Sequence, residues 1–339
     1  MKYNARKDYN VLYYGSVPED VREKLTRKLP EEFNLEFYLE IETKEERKKS
    51  LQKADFIMGF PFSFTEENLL TTKNLKMVQL LSARYDFFDI KMAGKMGIPV
   101  ANNGGANSIA VAEHTILLIL SLYKKLWKYQ TKLKEGVWYR EKNHAKNMYE
   151  LCGKKVGIIG FGNIGRSLAR CLQGFQVEII YYDVVRNKEA EKKLGARFME
   201  LNELLISSDI VSIHVPLLDS TMNMISENVL GLMKSNAILI NTARGGIINE
   251  KDLLEALKSK KIAGVGLDVY EREGDIERGK HISPLLELEN VVATPHYAGH
   301  TIDTWDRRIT NGYGNLIDFL DGKPQFVVNT SWLELSENQ

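Results

Sequence analysis

Short apolar runs alternate with polar stretches of helical period along the whole chain. In the first block the runs at 10–15, 34–41, 54–60, 76–82 and 97–102 read as strands, with amphipathic stretches such as 21–29 between them. A second block repeats the pattern at 154–160, 177–183, 196–200, 209–215, 237–243, 263–269 and 290–296. Strands alternating with helices predict α/β architecture with parallel sheets. Residues 108–136 have helix-forming composition without proline and predict one unbroken helix. Its first half is apolar almost all round, which predicts burial between domains or against a second subunit. A last helical stretch covers 301–322. Two such blocks flanking the longest predicted helix suggest two lobes and a cleft.

Length and charge narrow the class. The chain has 339 residues, enough for about two domains, and 44% hydrophobic content supports full cores. Its 46 basic and 45 acidic residues leave a net charge of +1, so electrostatics suggest neither nucleic acid nor an anionic membrane as partner. The apolar run at 115–123 is too short for a bilayer, which takes about 20 residues. The N-terminal stretch has no apolar core of a signal peptide. Cys152 and Cys171 are the only cysteines. They form no disulfide framework and no zinc site, so no metal is expected and a reducing cytoplasm is the expected compartment.

The first candidate chemistry is a phosphate loop. Gly160, Gly162 and Gly165 stand in G-x-G-x-x-G spacing, between an apolar strand and a helical stretch. Gly160 would permit the tight turn, Gly162 the approach of a pyrophosphate, and Gly165 close helix–strand packing. The helix N-terminus would supply free N–H groups and partial positive charge. The next strand ends at Asp183, whose carboxylate suits ribose hydroxyls and repels a 2′-phosphate. NAD is therefore favoured over NADP, with Arg186 nearby leaving some NADP tolerance.

Three later strands run into groups capable of chemistry. Residues 237–243 run into Arg244, 263–269 contain Asp268 and lead to Glu271, Glu273 and Asp275, and 290–296 end at His296. In a doubly wound sheet these ends lie on the ligand side. Hydride chemistry on a 2-oxo acid needs a planar fork for the substrate carboxylate, which arginine supplies. It needs a proton donor working near neutral pH, which histidine supplies. A neighbouring carboxylate stabilises the charged imidazole. An arginine, an acid and a histidine are thus present, with the choice of acid open. Among the other histidines, His214 reads as a packing or cofactor-contact residue and His114 as structural. His144, His281 and His300 have no predicted role.

The chain resembles the D-isomer-specific 2-hydroxyacid dehydrogenases, which include formate, glycerate, phosphoglycerate, phosphite and D-lactate dehydrogenases. The stretches carrying the resemblance include VQLLSARYDFFD, ELCGKKVGIIGFGNIGR, SSDIVSIHVPL, INTARGGIINEKDLLEAL, GVGLDVYEREG and VVATPHYAGHT. It implies two Rossmann-like, doubly wound parallel-sheet domains of α/β class with an active-site cleft between them. Residues 1–106 and 300–339 would form the substrate-binding, flavodoxin-like domain, and 107–299 the NAD-binding Rossmann domain. The implied catalytic residues are Arg244, Glu273 and His296, which selects Glu273 over Glu271. Asn163, Ile164, His214, Pro216, Thr221, Thr242 and Asp268 would line the cofactor site with the three glycines and Asp183. The implied substrate residues are Ala83, Arg84 and Tyr85, with Arg244. The resemblance further implies a small 2-oxo or 2-hydroxy acid as substrate, NAD as cofactor and a homodimer built on the long helix.

Departures from the family pattern shape the expectation. Gly274 follows Glu273 where the family commonly has proline, which loosens the loop. Arg84 replaces a usual glycine, so the loop could recognise a second anionic group on the substrate. Ala83 stands where phosphite oxidisers carry lysine, which weighs against phosphite. Formate or phosphite oxidation, and an NAD-sensing corepressor that binds protein, are the rival readings.

Overall fold

The computed structural model describes residues 9–41, 43–85, 87–138, 148–277, 279 and 283–337. His144 and His281 lie outside the described residues. The chain divides into two compact units, Met1–Asn107 with Thr301–Gln339, and Ser108–His300. Among the described residues no helix is long and apolar enough to cross a membrane.

The first unit is built on a parallel sheet of β1 (Tyr9–Tyr14), β2 (Phe33–Phe37), β3 (Phe56–Gly59), β4 (Met77–Leu80) and β5 (Val100–Ala101). Its order is β2-β1-β3-β4-β5. Val11 and Tyr13 enter one apolar cluster with Ile309, Tyr313 and Leu316, while Leu12 and Tyr14 enter another with Ile57 and Val78. That alternation is the period of two expected of a strand covered on both faces. The pattern predicts a longer β2, yet Tyr38–Glu40 turn into a 3-10 segment. There Tyr38 stacks on Tyr14 with ring centroids 4.4 Å apart, so aromatic packing ends the strand.

The helix Ile302–Leu320 returns to this unit. Thr301 caps it, its Oγ1 accepting from the Thr304 N–H at 3.0 Å. Arg308, Ile309, Gly312, Tyr313 and Leu316 form its buried stripe. A further helix, Thr330–Glu337, is not foretold by the pattern. The buried Asn329 ties it down, accepting from the Val100 N–H at 2.8 Å and donating to the Ile98 carbonyl at 3.0 Å.

The second unit carries β6 (Lys155–Ile159), β7 (Glu178–Tyr182), β8 (Ala196–Phe198), β9 (Ile210–Ile213), β10 (Ile238–Asn241), β11 (Gly264–Leu267) and β12 (Val291–Ala293). The order is β12-β11-β10-β9-β6-β7-β8, all parallel. Ile158, Val211, Leu239, Ile240 and Val265 are fully buried. Each such side chain stabilises the sheet by roughly 1.5–3 kcal/mol.

The predicted single helix over 108–136 is in fact two. Ser108–Lys124 and Leu126–Lys134 are separated by Lys125, which adopts a left-handed φ of 49°. The first piece packs on β10, β11, β12 and the helix Asn163–Leu172. Burial stops with it: Tyr123 is buried, and no residue of the second piece is. Helix propensity reads both halves alike. Loss of the packing surface is what ends the first.

Candidate active site

The register of the second sheet creates a rim. Ile159 pairs with Ile213, Ile213 with Asn241, Asn241 with Leu267, and Leu267 with Ala293. These residues end their strands in one row. The residues one step beyond are therefore Gly160, His214, Thr242, Asp268 and Thr294, brought side by side from a span of well over a hundred positions. Arg244 follows this rim by two residues, Glu273 by five and His296 by two.

His296 sits beyond the strand rather than on it, since β12 stops at Ala293. Its backbone is left-handed, with φ of 54°. A non-glycine residue holds that conformation only where surrounding bonds over-determine it. Asp268 supplies them. This carboxylate is buried and accepts from Thr294 Oγ1 at 2.6 Å, the Tyr297 N–H at 3.1 Å and the Ala298 N–H at 2.9 Å. The side chain on β11's edge thus clamps the turn on both sides of His296.

His296 Nδ1 lies 2.8 Å from Glu273 Oε2. Glu273 Oε1 accepts from the Tyr270 N–H at 3.0 Å, and the Tyr270 hydroxyl donates to the Thr294 carbonyl at 3.0 Å. Burial alone would raise the Glu273 pKa. The net displacement is downward, through the bonds from His296 and Tyr270 and the charges of His296 and Arg244. An ionised Glu273 can only accept, so His296 donates from Nδ1 and keeps Nε2 for other partners. Glu273 opens a short helix, Glu273–Glu277, so the run expected as a loop is helical here.

Arg244 has extended backbone and precedes the 3-10 turn Gly245–Ile247. Its Nη1 donates to the Ala243 carbonyl at 2.5 Å, and Asn241 Nδ2 donates to its own carbonyl at 2.9 Å. These bonds fix the chain on either side of a guanidinium whose charge acts on Glu273. Glu273 and His296 are in contact, and Arg244 is their electrostatic neighbour.

The glycine loop lies where the strand order reverses, between β6 and β9. Gly160 has φ of 95°, and a Cβ there would stand 2.7 Å from the His214 carbonyl carbon. A Cβ on Gly165 would collide with the Gly160 carbonyl. Both positions require glycine. A Cβ on Gly162 would instead meet nothing within 4 Å, so the backbone there is open to a ligand. Asn163 opens the helix Asn163–Leu172 and accepts from Arg166 Nη2 at 2.8 Å, and Ile164 follows it, partly buried. Asp183 Oδ2 accepts from the Phe161 N–H at 2.6 Å, which binds the acid to the loop. Arg186 is forked onto Glu191 at 2.7 and 2.9 Å, a partner that competes with any 2′-phosphate.

His214 Nε2 bonds Ser212 Oγ at 2.8 Å, while its buried Nδ1 has no partner among the described residues. Burial pushes its pKa down to about 3, so the ring is neutral. An orphaned nitrogen beside Gly160 and an open face at Gly162 fit a dinucleotide. Thr221 Oγ1 donates to the Pro216 carbonyl at 2.6 Å and accepts from the Leu218 N–H at 2.8 Å, shaping the loop after β9. Thr242 is buried, 3.2 Å from Thr115 Oγ1.

Ala83, Arg84 and Tyr85 belong to the first unit. Asn102 Nδ2 donates to the Ala83 carbonyl at 3.1 Å and Ser82 Oγ to the Arg84 carbonyl at 2.5 Å. Ala83 and Tyr85 are exposed and Arg84 is half-buried.

One neighbour escaped sequence reasoning. His114, expected to be structural, sits 2.9 Å from Thr294 Oγ1 and 3.7 Å from Asp268 Oδ1, its ring edge-on to Tyr297. Burial lowers its pKa against the raising pull of Asp268. No local pattern marks it, because Thr294 lies 180 positions away.

Comparison with known proteins places the chain in a family. Residues 116–298 match the NAD binding domain of the D-isomer specific 2-hydroxyacid dehydrogenases. The chain is 39% identical over 258 residues to a glyoxylate reductase of Korarchaeum cryptofilum, covering 75% of this chain and 76% of that one. It is 37% identical over 235 residues to a D-3-phosphoglycerate dehydrogenase of Archaeoglobus fulgidus, covering 69% of this chain and 43% of that one. Among solved structures, a D-lactate dehydrogenase of Aquifex aeolicus complexed with NAD and lactic acid is similar at a TM-score of 0.74 and 28% identity, over 96% of this chain and 98% of that one. The chain belongs to the D-isomer-specific 2-hydroxyacid dehydrogenase family of NAD-dependent oxidoreductases.

Proposed function

We propose that this protein interconverts a 2-oxo acid and the D-2-hydroxy acid. Gly160, Gly162, Gly165 and Asp183 would hold NAD(H), which would supply or accept the hydride. Arg244 holds the substrate carboxylate with two charge-assisted bonds. His296 protonates the carbonyl oxygen from Nε2 during reduction and takes that proton back during oxidation. Glu273 holds His296 in the tautomer that presents Nε2, and stabilises the imidazolium that hydroxy-acid oxidation leaves. Ala83, Arg84 and Tyr85 contact the remainder of the substrate. Asp183 favours NAD over NADP by accepting from ribose hydroxyls. The exposed Ile109, Leu117, Leu126 and Trp127 make the Ser108–Lys134 face the surface for a second copy in a homodimer.

The Glu273–His296 contact carries this reading, because a histidine held in a left-handed turn against an ionised carboxylate has no stated task in packing. Glyoxylate, 3-phosphoglycerate and lactate, the substrates named for relatives, share the 2-oxo or 2-hydroxy acid chemistry. A panel of 2-oxo acids assayed with NADH and NADPH tests it. The expected result is NADH-dependent reduction of at least one of them, lost by about 100-fold or more in His296→Ala. Undiminished turnover in that variant would sink the assignment.

A further inference from the structure

Arg308 lies in the buried stripe of the helix Ile302–Leu320 and is only 9% exposed. Among the described residues no carboxylate pairs with it and its guanidinium donates no hydrogen bond to protein. Its partners are two rings: Phe60 at 5.5 Å and Trp305 at 5.2 Å from the guanidinium carbon. A cation–π contact contributes about 0.5–2 kcal/mol. Withdrawing an unpaired charge from water costs several. The two aromatic faces offset only part of that cost, and the guanidinium nitrogens, which are not fully closed off from solvent, remain reachable by an anion.

The surroundings add an unmet donor. Among the described residues the fully buried Tyr13 hydroxyl, a potential donor, has no partner. Asn103 Nδ2 donates to the Arg308 carbonyl at 2.9 Å, which fixes the backbone there. Burial lowers the Arg308 pKa to about 10, and the fields of Tyr13 and Arg308 act on each other. The neighbouring Arg307 is by contrast engaged, donating to the Ala106 carbonyl at 2.8 Å.

The place in the fold is equally suggestive. In the first sheet the strand order reverses between β1 and β3. Phe60 follows β3 directly, and Tyr13 is the penultimate residue of β1. Open parallel sheets bind ligands outside the carboxyl ends of their strands at such a point. The rings of Phe60, Phe62 and Phe87 continue as a wall there, with centroid spacings of 6.1 and 4.4 Å. Phe62 is 65% exposed, so this wall opens to solvent and leaves a route for a small anion.

We infer that Arg308 is the anchor of an oxyanion site at the β1–β3 switch point of the first unit, taking a carboxylate or phosphate of a small molecule with the Tyr13 hydroxyl as a second donor. The oxyanion belongs either to the substrate, as a second acidic group, or to a free anion. Only the substrate source rests on the proposed dehydrogenase activity.

Thermal unfolding in the presence of inorganic phosphate or succinate reads the site without using turnover. At least one of these anions should raise the wild-type Tm by about 2 °C or more. Arg308→Met, which keeps the bulk beside Phe60 and Trp305, should abolish the rise, and Arg244→Met should retain it. No rise in the wild type, or a rise that survives Arg308→Met, overturns the proposal. Should Arg308→Met fail to unfold cooperatively, Tyr13→Phe decides: a smaller rise supports the site and an unchanged one overturns it. Turnover then identifies the source. If the substrate brings the oxyanion, Arg308→Met raises KM for 2-oxoglutarate at least about tenfold more than KM for glyoxylate. If the anion is free, both KM values change alike and the Tm rise persists in saturating glyoxylate.

Discussion

His296 Nδ1 and Glu273 Oε2 lie 2.8 Å apart, joining the segments that follow two adjacent strands. The contact commits Nδ1 to the carboxylate and leaves Nε2 as the proton-carrying atom. Glu273→Gln replaces an acceptor-only group with one that also donates, so the imidazole loses its fixed tautomer. We expect kcat to fall by about 10²-fold or more with KM for the oxo acid changed much less, because the lost interaction acts on the proton transfer. Steady-state kinetics on both parameters check this; a change confined to KM would count against it.

Arg244→Lys keeps the charge and loses the planar fork. For a carboxylate held by two bonds the expected loss is about 1.5–3 kcal/mol of binding, or roughly 10–150-fold in kcat/KM. The loss should appear for every 2-oxo acid tested. A variant as active as the wild type would remove the arginine from substrate recognition.

Asp268 acts through the turn that it clamps. Asp268→Asn retains the shape, but its amide nitrogen cannot accept, so at least one of the three bonds from Thr294, Tyr297 and Ala298 is lost. We expect a destabilisation of about 1–3 kcal/mol together with a lower kcat. Denaturant unfolding and kinetics on the same sample separate the two effects. Full activity in a destabilised variant would show that the clamp serves folding alone.

Acid should destabilise the fold in two windows. Burial lowers the folded-state pKa of His214 from 6.5 to about 3, so between those values the unfolded chain binds the extra proton. Stability then falls as pH drops through that range, by at most about 1.4 kcal/mol per pH unit. Glu273 is also lowered from 4.5, so its contribution is present above that value and is lost as pH falls through the lower folded value. Tm measured against pH should be flatter in His214→Gln across the upper window, and flatter in Glu273→Gln only in the lower one. A His214→Gln curve parallel to wild type throughout would contradict the first statement.

Much of this was legible in the sequence, for physical reasons that differ from element to element. Ten of the twelve strands among the described residues lie within a run that the apolar pattern marks, and β1 and β2 begin one residue before theirs, because burial on both faces of a parallel sheet needs near-continuous apolar residues. Strand ends came out less well, as at β2 and β12, since Tyr38 and His296 obey contacts made far along the chain. The glycine spacing was readable because steric rules at Gly160 and Gly165 act over a few residues. The break at Lys125 was not, because propensity is blind to where a packing surface ends.

The sequence by itself determined the kinds of element, their order and the stock of groups able to carry charge, since all three follow from local periodicity and residue chemistry. Tertiary structure alone decided which of those groups meet. Register set Gly160, His214, Thr242, Asp268 and Thr294 along one rim, and folding drew His114 onto Thr294 and left Arg308 between two rings without a counter-charge among the described residues. Such pairings depend on distances between residues far apart in the chain, and no local pattern records a distance.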